Sequence, residues 1–134
     1  MYLAFDFGMR FIGVAVGQMI TKTARPLSAL KAKKGAPQWD QVKRLIDEWK
    51  PEALIVGLPL NMDGTNQWVT DATREFCSEL SARFGLPVIE VDERLSTVAA
   101  KELIFAQDGY KGLEKTAIDS MSAKLILETW LSGG

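Results

Sequence analysis

Histidine is missing from this 134-residue chain. That absence removes Ser-His-Asp and Cys-His triads, imidazole general bases and nearly all catalytic zinc sites, so chemistry here must come from carboxylates, lysines or hydroxyls. Cysteine occurs once, at Cys77. A single thiol excludes an internal disulfide framework and a cysteine-rich zinc centre and suits a reducing compartment, the cytoplasm. Next to Phe76 in a helical pattern, Cys77 reads as a small packed side chain. No stretch approaches the roughly 18 apolar residues of a membrane span, and "MYLAFDFGMR" lacks the basic-then-apolar pattern of a secretory leader. The expectation is therefore a protein that is neither exported nor membrane-bound. Charge of one sign is also missing. With Lys plus Arg at 16 and Asp plus Glu at 17 the formal net charge is -1, so any grip on a polyanion has to come from a local basic cluster.

What is present suits one globular domain, taken as residues 1–134: 47% hydrophobic residues, 25% charged and no internal repeat. "YLAFDF" (2–7) is apolar on both faces except for Asp6, as in a central strand covered on both sides. A turn at "GMR" and the β-rich "FIGVAVG" (11–17) make a hairpin, with a third strand expected over about Lys22 to Leu30. "KAKKGAP" (31–37) reads as a loop that places Pro37 as the first helical residue. Trp39, Val42, Ile46 and Trp49 then follow helical spacing up to Pro51. "EALIVGLP" (52–59) is a buried strand, and "LNMDGTNQ" is a loop with an Asp63-Gly64 turn. Val69, Ala72, Phe76 and Leu80 form a helical stripe closed by Gly85 and Pro87. "PVIEVDER" (87–94) is a strand, Ser96 caps a helix carrying Val98, Ala99, Leu103 and Ile104, and a last helix runs from about Ala117 to Leu131. Trp39, Trp49, Trp68 and Trp130 read as packing residues. Helices between the later strands make those strands parallel.

In such a sheet, sites form beyond the carboxyl ends of parallel strands. Asp6, Gly57-Leu58-Pro59 and Asp92-Glu93 stand at three such ends. Each acid also has a plain structural account: Asp6 as a cap of the Gly8 turn, "DER" as a solvated junction in which Arg94 pairs with Asp92, and Asp119 as the third residue of a capping box opened by Thr116. Against the last, Asp119 shares a ridge with Ala123, Ile126 and Trp130 that faces the interior. Converging carboxylates repel unless a cation balances them, and oxygen-only ligation selects Mg²⁺ or Mn²⁺. Two such ions about 4 Å apart clamp the attacking and leaving oxygens of a phosphodiester under hydrolysis. Arg10, Arg94, Lys111 and Lys115 flank the edge as phosphate contacts. Lys31, Lys33 and Lys34 form a basic loop read as solvated surface, with nucleic-acid backbone contact as the alternative. "GMRFIG" has the glycine gap of a phosphate loop but lacks its Lys-Ser/Thr pair, and a strand follows.

With these residues in place, the chain resembles the YqgF (RuvX) family, Holliday-junction-resolvase-like proteins also described as pre-16S rRNA nucleases. "FDFGMRFIGVAVG", "IVGLPLNMDGT", "VDERLST" and "AIDSMSAKLILETWL" carry the resemblance, in order and over nearly the whole chain. The resemblance implies an RNase H-like α/β fold: a mixed five-stranded sheet, its first three strands antiparallel, with helices on both faces. It implies that Asp6, Glu93 and Asp119 are catalytic metal ligands, with Asp92 a further ligand candidate, and that the substrate is structured RNA in 16S rRNA maturation or, alternatively, branched DNA. Met9 and Phe11 depart from the family's usual residues, and neither is a ligand. Two other readings stand beside it. One is a phosphotransferase of the actin and sugar-kinase superfamily, which needs two copies of such a domain; the other is a non-catalytic RNA-binding module of ribosome assembly. A monomer and a homodimer are both compatible with the sequence.

Overall fold

The computed structural model describes residues 1–59, 68–92 and 115–133, with the side chains of 115–119 excepted. Six strands form one sheet: β1 (Tyr2–Asp6), β2 (Phe11–Gln18), β3 (Thr23–Lys33), β4 (Ala36–Pro37), β5 (Ala53–Leu58) and β6 (Val88–Asp92). Their spatial order is β4-β3-β2-β1-β5-β6. The first three strands pair antiparallel, and β5 and β6 join β1 in parallel, as expected. Three helices are described, α1 (Trp39–Trp49), α2 (Trp68–Phe84) and α3 (Lys115–Leu131).

Alternation along the strands divides the core into two layers. Leu3, Phe5, Val14, Leu54 and Val56 pack with Val42 of α1 and Phe76 and Leu80 of α2. Ala4, Ala15, Ile55 and Val91 pack with Ala123, Ile126, Leu127 and Leu131 of α3. Because β1 and β5 are covered on both sides, their sequences are apolar at nearly every position. The second layer is thin. Small residues on β1 and β2 let α3 approach so closely that a Cβ on Gly17 would lie 3.0 Å from Leu127 Cδ2 and 2.7 Å from the Thr23 carbonyl oxygen.

Several expectations need correction. Residues 31–37 are not a loop: β3 continues to Lys33, a two-residue turn follows, and Pro37 pairs with Ala32 in β4 instead of opening α1. The sheet thus gains a short sixth strand, and α1 starts at Trp39 behind Gln38. Lys22 lies before β3, in the turn, with a left-handed φ of 54°. On α2 the buried ridge is rotated from the expected stripe, with Thr70, Thr73, Phe76, Cys77 and Leu80 inside. Two threonines are tolerated there because their hydroxyls donate to backbone carbonyls, Thr73 to Val69 and Thr70 to Pro59. Trp68 is not a packing residue; it is 71% exposed. The helix expected over Val98 to Ile104, its Ser96 cap and the Asp63-Gly64 turn lie outside the described residues.

Candidate metal and nucleic-acid site

Asp6 ends β1 and is buried, 7% exposed. It is opposite Gly13 of β2 and Gly57 of β5, and Gly57 in turn is opposite Val91 of β6. The residues opposite it on both neighbouring strands are thus glycines, which carry no side chain. Gly8 turns the chain immediately afterwards, where a Cβ would meet the Phe11 carbonyl oxygen at 2.3 Å. By alternation Asp6 shares a face with Ala4, the face covered by α3.

The direction of α3 follows from its two ends. The Trp130 ring packs on Tyr2 at the start of β1, with ring centroids 4.8 Å apart. At the other end Ser120 Oγ donates to the Leu27 carbonyl at 2.8 Å. Leu27 is opposite Val14, which is opposite Phe5. The helix therefore runs antiparallel to β1, and its early turns stand at the Asp6 edge of the sheet. Lys115 and Asp119 belong to those turns, their side chains lying outside the described residues. The ridge of Ala123 and Ile126 faces the sheet as expected.

Asp92 ends β6 opposite Leu58 and is exposed. Alternation puts it with Glu90 on the α2 side of the sheet, where Arg74 approaches Glu90 at 3.8 Å. The structure thus brings Asp6 and the backbone of early α3 to one face and leaves Asp92 at the same edge on the other. Glu93, Arg94 and Lys111 lie outside the described residues, and among the described residues no three metal-binding side chains are grouped. Arg10 is exposed in the turn after Asp6.

The sequence reading gave less weight to the lysine-rich segment, which the structure seats directly against this turn. The amide of Ala32 donates to the Arg10 carbonyl at 2.7 Å and that of Gly35 to the Met9 carbonyl at 3.0 Å. The signal that could have revealed it is the Lys34-Gly35 pair between two extended stretches. A separate open groove of about 770 Å³, lined by Phe7, Trp39, Arg74 and Glu79 among others, lies on the α1–α2 side, away from the face of Asp6.

Cys77 is buried on α2, and burial first, then the charge of Glu90, pushes its thiol up to about 12. It takes no part in the site. Among the described residues no helix is long and apolar enough to cross a membrane.

Comparison with known proteins bears on the family and the fold. A profile of the RuvX family, described as Holliday junction resolvase, matches residues 1–133. A protein of Actinobacillus pleuropneumoniae serotype 7 named as a pre-16S rRNA nuclease is 57% identical over 128 residues, 96% of this chain and 93% of its own length. One of Escherichia coli O157:H7 with the same name is 55% identical over 132 residues, 98% of this chain and 96% of its own. Among solved structures, Thermus thermophilus RuvC in complex with a Holliday junction substrate aligns with a TM-score of 0.54 at 17% identity, over 100% of this chain and 97% of that one. The fowlpox virus resolvase in complex with Holliday junction DNA gives 0.55 at 12%, over 98% and 97%. These likenesses establish the RNase H-like fold, and the sequence matches establish the kinship: the chain belongs to the RuvX family.

Proposed function

We propose that this nuclease hydrolyses phosphodiester bonds of precursor 16S rRNA with the help of Mg²⁺ or Mn²⁺, acting in the cytoplasm as a single domain over residues 1–134. The observation that carries the reading is a buried aspartate at the carboxyl end of the central strand, flanked by glycines and faced by early α3. A carboxylate withdrawn from water is costly unless a cation or hydrogen bonds balance it, and an all-oxygen donor set fits a hard divalent ion. Asp6, Glu93 and Asp119 are the residues to hold that ion, with Asp92 the more distant candidate. When bound, the ion polarises the phosphate and lowers the pKa of water. Asp6 supplies a fixed negative charge at the centre of the site. Arg10, Arg94, Lys111 and Lys115 steady the scissile strand through its phosphates. The RNA substrate comes from the names of the relatives.

Asp6→Asn keeps the shape and removes the charge. It should abolish Mg²⁺- and Mn²⁺-dependent cleavage of precursor rRNA and also the rise in melting temperature that these ions give the wild-type protein, while leaving the circular dichroism spectrum unchanged. Full cleavage by Asp6→Asn would overturn the assignment. The solved resolvases favour a second reading, cleavage of branched DNA. A four-way junction beside the rRNA substrate distinguishes the two, because symmetric cutting of a junction needs a two-fold dimer and trimming one RNA end does not.

A further inference from the structure

We propose that the β3–β4 hairpin and Arg10 form a clamp for the phosphate backbone of the substrate RNA, with Lys31, Lys33 and Lys34 as its binding residues. The proposal rests on the nuclease reading for the identity of the occupant, and on the hairpin's own geometry for the site. Three observations carry it.

The first is the face on which the lysines stand. Ile12 is opposite Leu30 whereas Val14 is opposite Leu27, so β3 holds one extra residue between them, a β-bulge. The bulge shifts the alternation: Leu27, Leu30 and Ala32 all pack toward the α1–α2 layer. Lys31 and Lys33 consequently project from the opposite face, the face of Asp6. Lys31 is opposite Phe11, two residues along β2 from the Gly13 that faces Asp6. Two strand spacings and two residue rises separate Lys31 from Asp6 by roughly 12 Å between Cα atoms. A polynucleotide seated at Asp6 passes the lysine side chains with its neighbouring phosphates.

The second is rigidity. The tip is keyed to the turn after Asp6 by the hydrogen bonds from Ala32 to Arg10 and from Gly35 to Met9. A Cβ on Gly35 would lie 2.8 Å from the Phe7 ring, so the tip rests on the residue next to Asp6. Lys34 and Gly35 both have positive φ, 52° and 81°, the two-residue turn that closes a hairpin tightly. The clamp and Asp6 thus move as one body.

The third is charge. Arg10, Lys31, Lys33 and Lys34 are all exposed, and the ion pairs among the described residues involve none of them. On a chain with net charge -1, Arg10, Lys31 and Lys33, joined by Lys34 at the hairpin tip where it also borders the α1–α2 groove, create the local attraction that the whole molecule lacks.

The test measures binding of a labelled precursor 16S rRNA fragment in EDTA, where no cleavage occurs, between 50 and 200 mM salt. Lys31→Gln/Lys33→Gln/Lys34→Gln should bind at least tenfold more weakly at the low-salt end. Three lost contacts should flatten the slope of log affinity against log salt by about 2 for a single strand. Lys22→Gln/Lys43→Gln/Lys50→Gln removes the same charge elsewhere and should bind as wild type. Equal loss in both variants, or no loss in the first, overturns the clamp, and so does tighter wild-type binding to a four-way DNA junction than to the RNA. A parallel arm separates the two readings. Asp6→Asn should bind RNA as wild type and fail to cut it; if it cuts, the metal-site reading fails while the binding result stands.

Discussion

A buried ionisable group is either balanced or neutral, and two buried ones among the described residues, Asp6 and Cys77, stand on the two sides of that choice. Asp6 lies at the carboxyl end of β1 with glycine opposite on either side, where the proposed cation would balance its charge. Cys77 lies against the sheet under α2, where burial holds the thiol protonated up to about 12. Thiolate is the reactive form, so native protein at pH 8 should react with a disulfide reagent only as fast as it unfolds, and fully within seconds in guanidinium. The sign for stability follows. Below about 9 both folded and unfolded chains keep this proton. Between about 9 and 12 only the unfolded chain releases it, so the thiol's contribution to stability is lost as pH rises through that window. Replacing Cys77 by Ala should shallow the alkaline decline of the melting temperature; an unchanged slope would show that the thiol ionises freely in the folded state.

At the scale of elements, β3 and its turn show most clearly what could be read from sequence and what could not. The central strand was legible because a run apolar on both faces has few other homes, and Asp6 stood out against it. The parallel strands were legible from the helices between them, and α3 from its periodicity, which placed the Ala123–Ile126 ridge on the sheet. The bulge in β3 was not, since nothing local in "LSALKAK" announces an extra residue, and strict alternation from Leu27 would send Lys31 and Lys33 into the core. The β4 turn was hidden because a lysine, not asparagine or aspartate, stands at its left-handed position. That placement suggests its own test. A left-handed conformation costs an ordinary residue about 1–2 kcal/mol, and asparagine tolerates it better. Lys34→Asn should therefore raise stability by about 0.5–1 kcal/mol in a denaturant titration while weakening RNA binding in the same preparation. A gain in stability with unchanged RNA affinity would show that Lys34 serves only the turn.

At the scale of the whole molecule, the two sides of the sheet carry different duties. The α1–α2 layer is thick with aromatic and branched side chains, among them Phe5, Phe76 and Trp39. The other layer is thin, and among the described residues α3 is the helix that covers it. The same helix carries Asp119 in its early turns, so the packing that completes the fold also brings the last proposed acid to the edge. Leu127 is fully buried in that contact, close to Gly17 opposite the start of β1 and remote from Asp6 at its other end. Leu127→Ala should cost about 2–5 kcal/mol in global stability through the cavity it leaves. It should also loosen the seating of α3 and so lower the fraction of molecules with all acids in place. On the proposed ligand set, metal binding would favour the seated state, so excess Mg²⁺ should draw the population back. Leu127→Ala is therefore expected to need several-fold more Mg²⁺ for half-maximal cleavage yet to approach wild-type kcat at saturation, whereas Asp6→Asn recovers at no concentration. If added Mg²⁺ failed to restore Leu127→Ala under conditions where it remains folded, seating of α3 and occupancy of the site would be independent, and Asp119 would lose its place among the ligands.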